Sequence, residues 1–188
     1  MVEPDDLEVP EHSSQQDSPD ADSARAFPHR GRPDMPADYG VPGDSQGLLS
    51  WSFVEERMTR AINYWFGTTR PDGRPHAMPG WGVWLDGVFY FDGSPQTRRG
   101  RNLVANPSVV VHLESGSEVV ILEGEAYEIV GPGSELAGKL VQAIEAKYGA
   151  MGYHPTLDLW DRGGLYQLQL RKAFAWTKFP EDATRWIF

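Results

Sequence analysis

The feature that most constrains this chain is a succession of short β-prone segments joined by turns too tight for anything but antiparallel reversal. Residues 63–69 (NYWFGTT) are aromatic and β-prone, and Pro71-Asp72-Gly73 then turns the chain. Residues 75–85 (PHAMPGWGVWL) make a second strand, and Asp86-Gly87 is a hairpin turn leading into a third at 88–91. Residues 109–113 and 119–130 are a fourth and fifth, joined through Ser115-Gly116-Ser117, and 165–177 alternate as a sixth. A parallel crossover needs about a dozen residues or more, which the early connections lack. Small antiparallel sheets close on themselves to remove their edges. The expected architecture is therefore mainly β: a six-stranded antiparallel barrel with two or three short helices.

The second strand cannot be a regular central one. Pro79, Gly80 and Gly82 interrupt it, which points to a bulge or to close approach of a ligand to the backbone. Ser52-Phe53-Val54-Glu55 has capping-box spacing, predicting a helix over 53–61. Ser134 is positioned to cap another over 135–148, with Leu136, Leu140, Val141 and Ile144 on one face. Residues 179–188 read as an aromatic tail.

The stretch 92–107 (DGSPQTRRGRNLVANP) is where chemistry concentrates. It bends through Gly93 and Pro95 and reaches Thr97 as an N-cap, with Arg98, Arg99 and Arg101 in the following turn. A helix start offers unpaired N–H groups and the positive end of the dipole. Guanidiniums beside it make a site for a phosphate monoester. Adjacent arginines point in different directions on a helix, so only some of them can face one phosphate. A solvated basic turn is the alternative.

Composition narrows the rest. There is no cysteine, which excludes disulfides, thiolate metal sites and cysteine nucleophiles; the five histidines have no ligand spacing, so no metal site is expected. Residues 1–47 hold 11 acidic residues against 3 arginines, a net of −8, whereas 48–188 carry a net of only −2. The first segment is rich in Pro, Asp and Ser, has no hydrophobic periodicity, and is expected to stay a disordered acidic tail before one domain over 48–188. No basic stripe beyond 98–101 points to nucleic acid, no apolar run reaches membrane-span length, and no signal peptide is read at the start, so a cytoplasmic protein is expected.

The run TTRPDGRPHAMPGWGVWLDGVFYFDGSPQTRRGRNLVANPSVVVHLESGSEVVILEGEA resembles the pyridoxamine 5'-phosphate oxidase-like split β-barrel, the flavin and deazaflavin oxidoreductases. Its most specific parts are Thr-Arg-Arg-Gly-Arg-Asn-Leu with Asn106-Pro107, and the later Glu123-Gly124. The ending AFAWTKFPEDATRWIF is similar to tails in a branch of that superfamily. The resemblance implies a homodimer with FMN or the deazaflavin F-420 between protomers. It implies that Thr97, Arg98 and Arg99 hold the cofactor phosphate and that Asp92 and Gly93 lie beside the phosphate–ribityl portion. Met78, Pro79, Gly80 and Trp81 would then run along the ring edge.

Arg101 and Asn102 are further candidates, with a helix-surface hydrogen bond as the alternative for each. Trp81 and Trp84 suit the core as readily as a ring stack, and His112 suits a satisfied strand histidine. Arg185 and Trp186 either reach the partner's cofactor or pack the C-terminus, and Tyr148, Tyr153 and His154 are candidate pocket residues. The resemblance does not extend to the Arg-x-His tail of true pyridoxamine phosphate oxidases, nor to their ring-facing glutamine, so turnover of pyridoxamine phosphate is not implied. The implied activity is hydride transfer between the flavin-type cofactor and a small organic substrate, with no catalytic side chain of its own. Arginine outnumbers lysine 13 to 4, the mark of a GC-rich genome, which sets F-420 slightly ahead of FMN. The alternatives are a non-catalytic module for FMN, F-420 or a tetrapyrrole, and a barrel that dimerises and binds nothing.

Overall fold

Each tight turn of the sequence reverses the chain in the computed structural model, which describes residues 28–188. Strands β2 (Tyr64–Thr69) and β3 (Pro75–Gly80) pair antiparallel about Pro71-Asp72-Gly73, with Gly73 N–H donating to Arg70 O over 2.8 Å. Asp86 and Gly87, both at positive φ (50° and 75°), form the hairpin between β4 (Val83–Leu85) and β5 (Val88–Asp92). Then follow α2 (Arg98–Ala105), β6 (Ser108–His112), β7 (Val119–Ile129), α3 (Ser134–Tyr148), β8 (Leu165–Trp176) and β9 (Thr184–Ile187). Ahead of them lie β1 (His29–Gly31) and α1 (Trp51–Arg60).

The barrel closes through β3–β2–β6–β7–β8–β5–β4, and the chain itself joins β3 to β4 at Trp81-Gly82. The strand count is nine rather than six. The expected second strand is two strands on either side of a corner, and β1 and β9 lie outside the ring. β3 is an edge strand, so the missing N–H of Pro79 costs no ladder bond. One edge of β8 is shared: Leu165 to Leu168 pair with β5, and Lys172 to Ala175 pair with β9.

Inward side chains make the core, among them Tyr64, Phe66, Phe89, Phe91, Val111, Leu122, Tyr166 and Leu168, with Val54 and Met58 of α1 packed against them. Ala137, Leu140, Ile144 and Tyr148 of α3 pack in a second cluster with Val83, Tyr90 and Leu165. The helix starts shift slightly from expectation. Ser50, not Ser52, is the N-cap of α1, and the two hydroxyls bond each other over 2.7 Å; Gly133 precedes α3, whose first residue is Ser134.

Two expectations about the ends need correction. The aromatic tail contains β9, and its Trp186 is a core residue, 1% exposed. The folded part also begins before Leu48. β1 pairs with β9, and Arg32 donates to the carbonyls of Asp44, Gln46, Glu181 and Ala183 (2.9, 2.5, 2.8 and 3.2 Å), binding residues 28–47 to the C-terminal turn. Local composition misses this, because the partners lie about 150 residues away. Residues 1–27 of the expected tail are outside the described residues. Among the described residues, no helix is long and apolar enough to cross a membrane.

Candidate functional site

The turn after β5 and the start of α2 are built as the sequence indicates. Thr97 Oγ1 accepts from Gly100 N–H (3.1 Å) and donates to Ser94 O (2.8 Å). The hydroxyl is thus used for capping, and the N–H groups of Arg98 and Arg99 are left without intrahelical acceptors. Gly100 brings α2 against the turn: a Cβ there would come within 2.6 Å of Pro95 backbone atoms.

That docking separates the arginines. Arg98 and Arg101 are exposed, whereas Arg99 is turned inward and is 5% exposed. Its guanidinium lies over the rings of Phe66 and Phe91, 4.5 and 4.9 Å from their centroids. Nη2 donates to Asp92 O over 2.5 Å, while Nη1 is buried and bonded to nothing. Two glycines make room for it. A Cβ at Gly80 would lie 2.9 Å from Nη1, and one at Gly93 (φ 152°) would lie 2.5 Å from Nη2. Burial pulls the Arg99 pKa below its ordinary value. The Asp92 carboxylate accepts from the Tyr153 hydroxyl (2.5 Å), whose pKa is pushed up first by burial and then by that carboxylate.

A second group meets this one from the β2–β3 hairpin. His76 is held below its usual pKa by burial, then by the charges of Arg70, Arg98 and Arg99. Asn102, wholly buried rather than on the helix surface, donates from Nδ2 to Thr68 Oγ1 (3.0 Å), which lies 3.4 Å from His76 Nδ1. Asn102 Oδ1 and Arg70 Nε are buried without partners. Thr68, Arg70 and His76 were not singled out from the sequence. The signal was present: strand alternation from Pro71-Asp72-Gly73 puts His76, Met78 and Gly80 on the face of Thr68, Phe66 and Tyr64.

Gly80, Asp92, Gly93, Arg98, Arg99 and Asn102 therefore come together at one end of the barrel, between the free edge of β3 and the start of α2. Met78 shares the inward face of β3, and Pro79 is exposed. Trp81 is an aromatic of the second core, stacked on Tyr148 at 4.6 Å and 11°. Tyr148, its pKa pushed up to about 12 by burial, bonds both N–H and C=O of Gly82 (3.1 and 2.8 Å). Lys147 donates to Tyr64 Oη (2.5 Å) and Gly82 O (3.2 Å), and burial lowers its pKa to about 8.

His112 is satisfied by Leu113 O (2.8 Å), and exposed His154 is bound by Glu145 (2.9 Å). Arg185 and Trp186 do not join the cluster in their own chain; they pair along the other half of β8. Trp186 packs on Trp51, edge to face at 5.5 Å, so its ring is not available to a partner's cofactor. Arg185, on the opposite face of β9, continues an outer row of Trp65, His112, Ile121 and Phe174.

Several solved structures resemble this barrel. An F-420 reductase is 19% identical at a TM-score of 0.50, covering 63% of this chain and 94% of that one. A FAD-binding protein from Mesorhizobium loti is 17% identical at 0.52, covering 74% and 96%. A heme-binding protein from Mycobacterium smegmatis is 20% identical at 0.54, covering 72% of this chain and 59% of that one. At such identities the likeness is one of fold. No curated protein matches the sequence. Residues 54–177 match the pyridoxamine 5'-phosphate oxidase family model, and with its antiparallel barrel the chain belongs to that family.

Proposed function

We propose that the chain binds a flavin-type cofactor, FMN or F-420, by its phosphoryl end between β3 and α2. It acts as an oxidoreductase passing hydride to or from a small organic substrate. The observation that carries this is Arg99, a buried cation with an unbonded Nη1, in one cluster with unbonded buried groups on Arg70 and Asn102. Burying a charge without a full set of partners is costly, and a phosphoryl group supplies both the charge and the acceptors. The residues present fit such a group, and the solved structures that share the fold include proteins described as an F-420 reductase and a FAD-binding protein.

When bound, the cofactor carries the electrons, and the protein contributes position, hydrogen bonds and exclusion of water. Arg70, Arg98 and Arg99 with the open N–H groups of α2 hold the phosphoryl end. The free edge of β3 at Met78, Pro79 and Gly80 offers its backbone along the ring. No acid–base pair or nucleophile is required of the chain. The test is fluorescence titration with FMN and with F-420, in the native chain and in an Arg70→Ala/Arg98→Ala double variant. Saturable binding of one cofactor is expected, weakened about tenfold in the variant. Binding of neither, or no difference between the chains, overturns the assignment. Binding without substrate-dependent reoxidation reduces it to a carrier module, and heme binding alone would make that module one for tetrapyrroles.

The cofactor is shared with a second copy of the chain in this proposal. The surface for that copy is the outer row of Trp65, His112, Ile121 and Phe174, half-buried side chains side by side across four strands. Sedimentation at micromolar concentration is expected to give twice the 21.0 kDa chain mass, and Phe174→Arg to give monomer. A monomeric native chain would remove the shared site.

A further inference from the structure

The polar chain Asn102–Thr68–His76 has a direction. Asn102 Nδ2 is a donor only, so Thr68 Oγ1 accepts from it and keeps its own hydrogen for another partner. Two acceptors are in reach: His76 Nδ1 at 3.4 Å and His76 O at 3.5 Å. A neutral ring that accepts at Nδ1 carries its hydrogen at Nε2, which makes Nε2–H a donor. His76 is in register with buried Thr68 on the inward face of β3, where Arg70, Arg98 and Arg99 act on it.

We infer that His76 is a further anion ligand of this site, giving Nε2–H to a phosphoryl oxygen, and that it takes up a proton as a dianionic phosphate monoester enters. The inference rests on the phosphoryl-binding role proposed above. Without an anion, burial and then three guanidiniums lower the ring's pKa and so favour its neutral form. A monoester brings up to about two negative charges, which offset the guanidiniums and favour the imidazolium. Thr68 accommodates either state. With the ring charged, Nδ1–H donates to Oγ1, whose second lone pair is free, and the hydroxyl hydrogen turns to His76 O. A hydroxyl can reverse its role in this way; an amide or carboxylate cannot.

The charges that act on His76 are those of Arg70 from the β2 turn and of Arg98 and Arg99 from α2, with Thr68 in reach of its ring. Glu123 and Lys172 and the Glu125–Arg171 ion pair of β7 and β8 line the same cavity, and Asp72 is held by Arg74. Acid favours the imidazolium, so its contribution to binding falls as pH rises through the ligand-bound His76 pKa. The ligand's own second ionisation, near about pH 6, works in the opposite sense. Comparison with His76→Gln, which keeps a donor but does not titrate, cancels that term. FMN is expected to bind the native chain about three- to tenfold more tightly than the variant at pH 6.5, the ratio approaching one by about pH 8.5. In NMR, the imidazole Cε1–H resonance that His76→Gln removes is expected to move toward its protonated position when inorganic phosphate is added at pH 7. A flat ratio together with an unmoved resonance overturns the inference and leaves the cofactor site standing. Failure of the native chain to bind FMN or F-420 defeats the cofactor assignment instead, and the phosphate titration still decides whether His76 is an anion ligand.

Discussion

Replacing Arg99 by methionine is expected to lower cofactor affinity by about 100-fold while leaving the cofactor-free protein as stable as before, or more so. The two effects separate because the residue serves the ligand at the expense of the fold. Its guanidinium is desolvated, depressed in pKa by burial, and makes one direct bond, to Asp92 O. Methionine keeps an unbranched apolar stem against the Phe66 and Phe91 rings and has similar helix propensity. The lost bond to Asp92 O costs about 1 kcal/mol, and relief of a poorly paired buried charge offsets it. Against a phosphate, hydrogen bonds from a charged donor are worth about 1.5–3 kcal/mol each, so losing one or two gives roughly 100-fold. Calorimetric titration and thermal unfolding of the same samples decide the matter. Unfolding at lower temperature with unchanged affinity would make Arg99 a structural plug.

Trp186→Ala is expected to cost about 3–5 kcal/mol of stability, the range for an aromatic truncated to alanine inside a core. Native domains hold only about 5–15 kcal/mol in total, so this is a large fraction. Trp186 is 1% exposed and packs on Trp51, which in turn meets Trp84 at 6.0 Å and Phe188 at 5.1 Å. β9 joins β1 to β8, so losing its anchor also loosens the Arg32 connection to the N-terminal segment. The denaturant midpoint is the readout. A loss below about 1 kcal/mol, accompanied by weakened cofactor binding, would return Trp186 to the role of a ligand-contacting tail residue.

The contrast between these two tryptophan- and arginine-bearing segments shows what one-dimensional patterns can carry. Turn chemistry depends on a few adjacent residues, so Pro71-Asp72-Gly73, Asp86-Gly87 and the Thr97 cap were legible, and with them the antiparallel order. The interruption at Pro79, Gly80 and Gly82 was legible as irregularity, but not as a corner between two sides of a barrel. The pairings of β1 and β9 were not legible. Three- and four-residue strands have too few positions to show alternation, and each exists because a distant edge accepts it.

By itself the sequence determined the reversals, the closed antiparallel class and the place where an anion-seeking helix start follows a strand, since neighbours along the chain set all of these. Only the tertiary structure decided that Arg99 turns inward while Arg98 stays out, because the contact of Gly100 with Pro95 sets the rotation of α2. It also decided that Trp186 fills its own core and that His76 meets three arginines, because charge and burial depend on distance in space rather than along the chain.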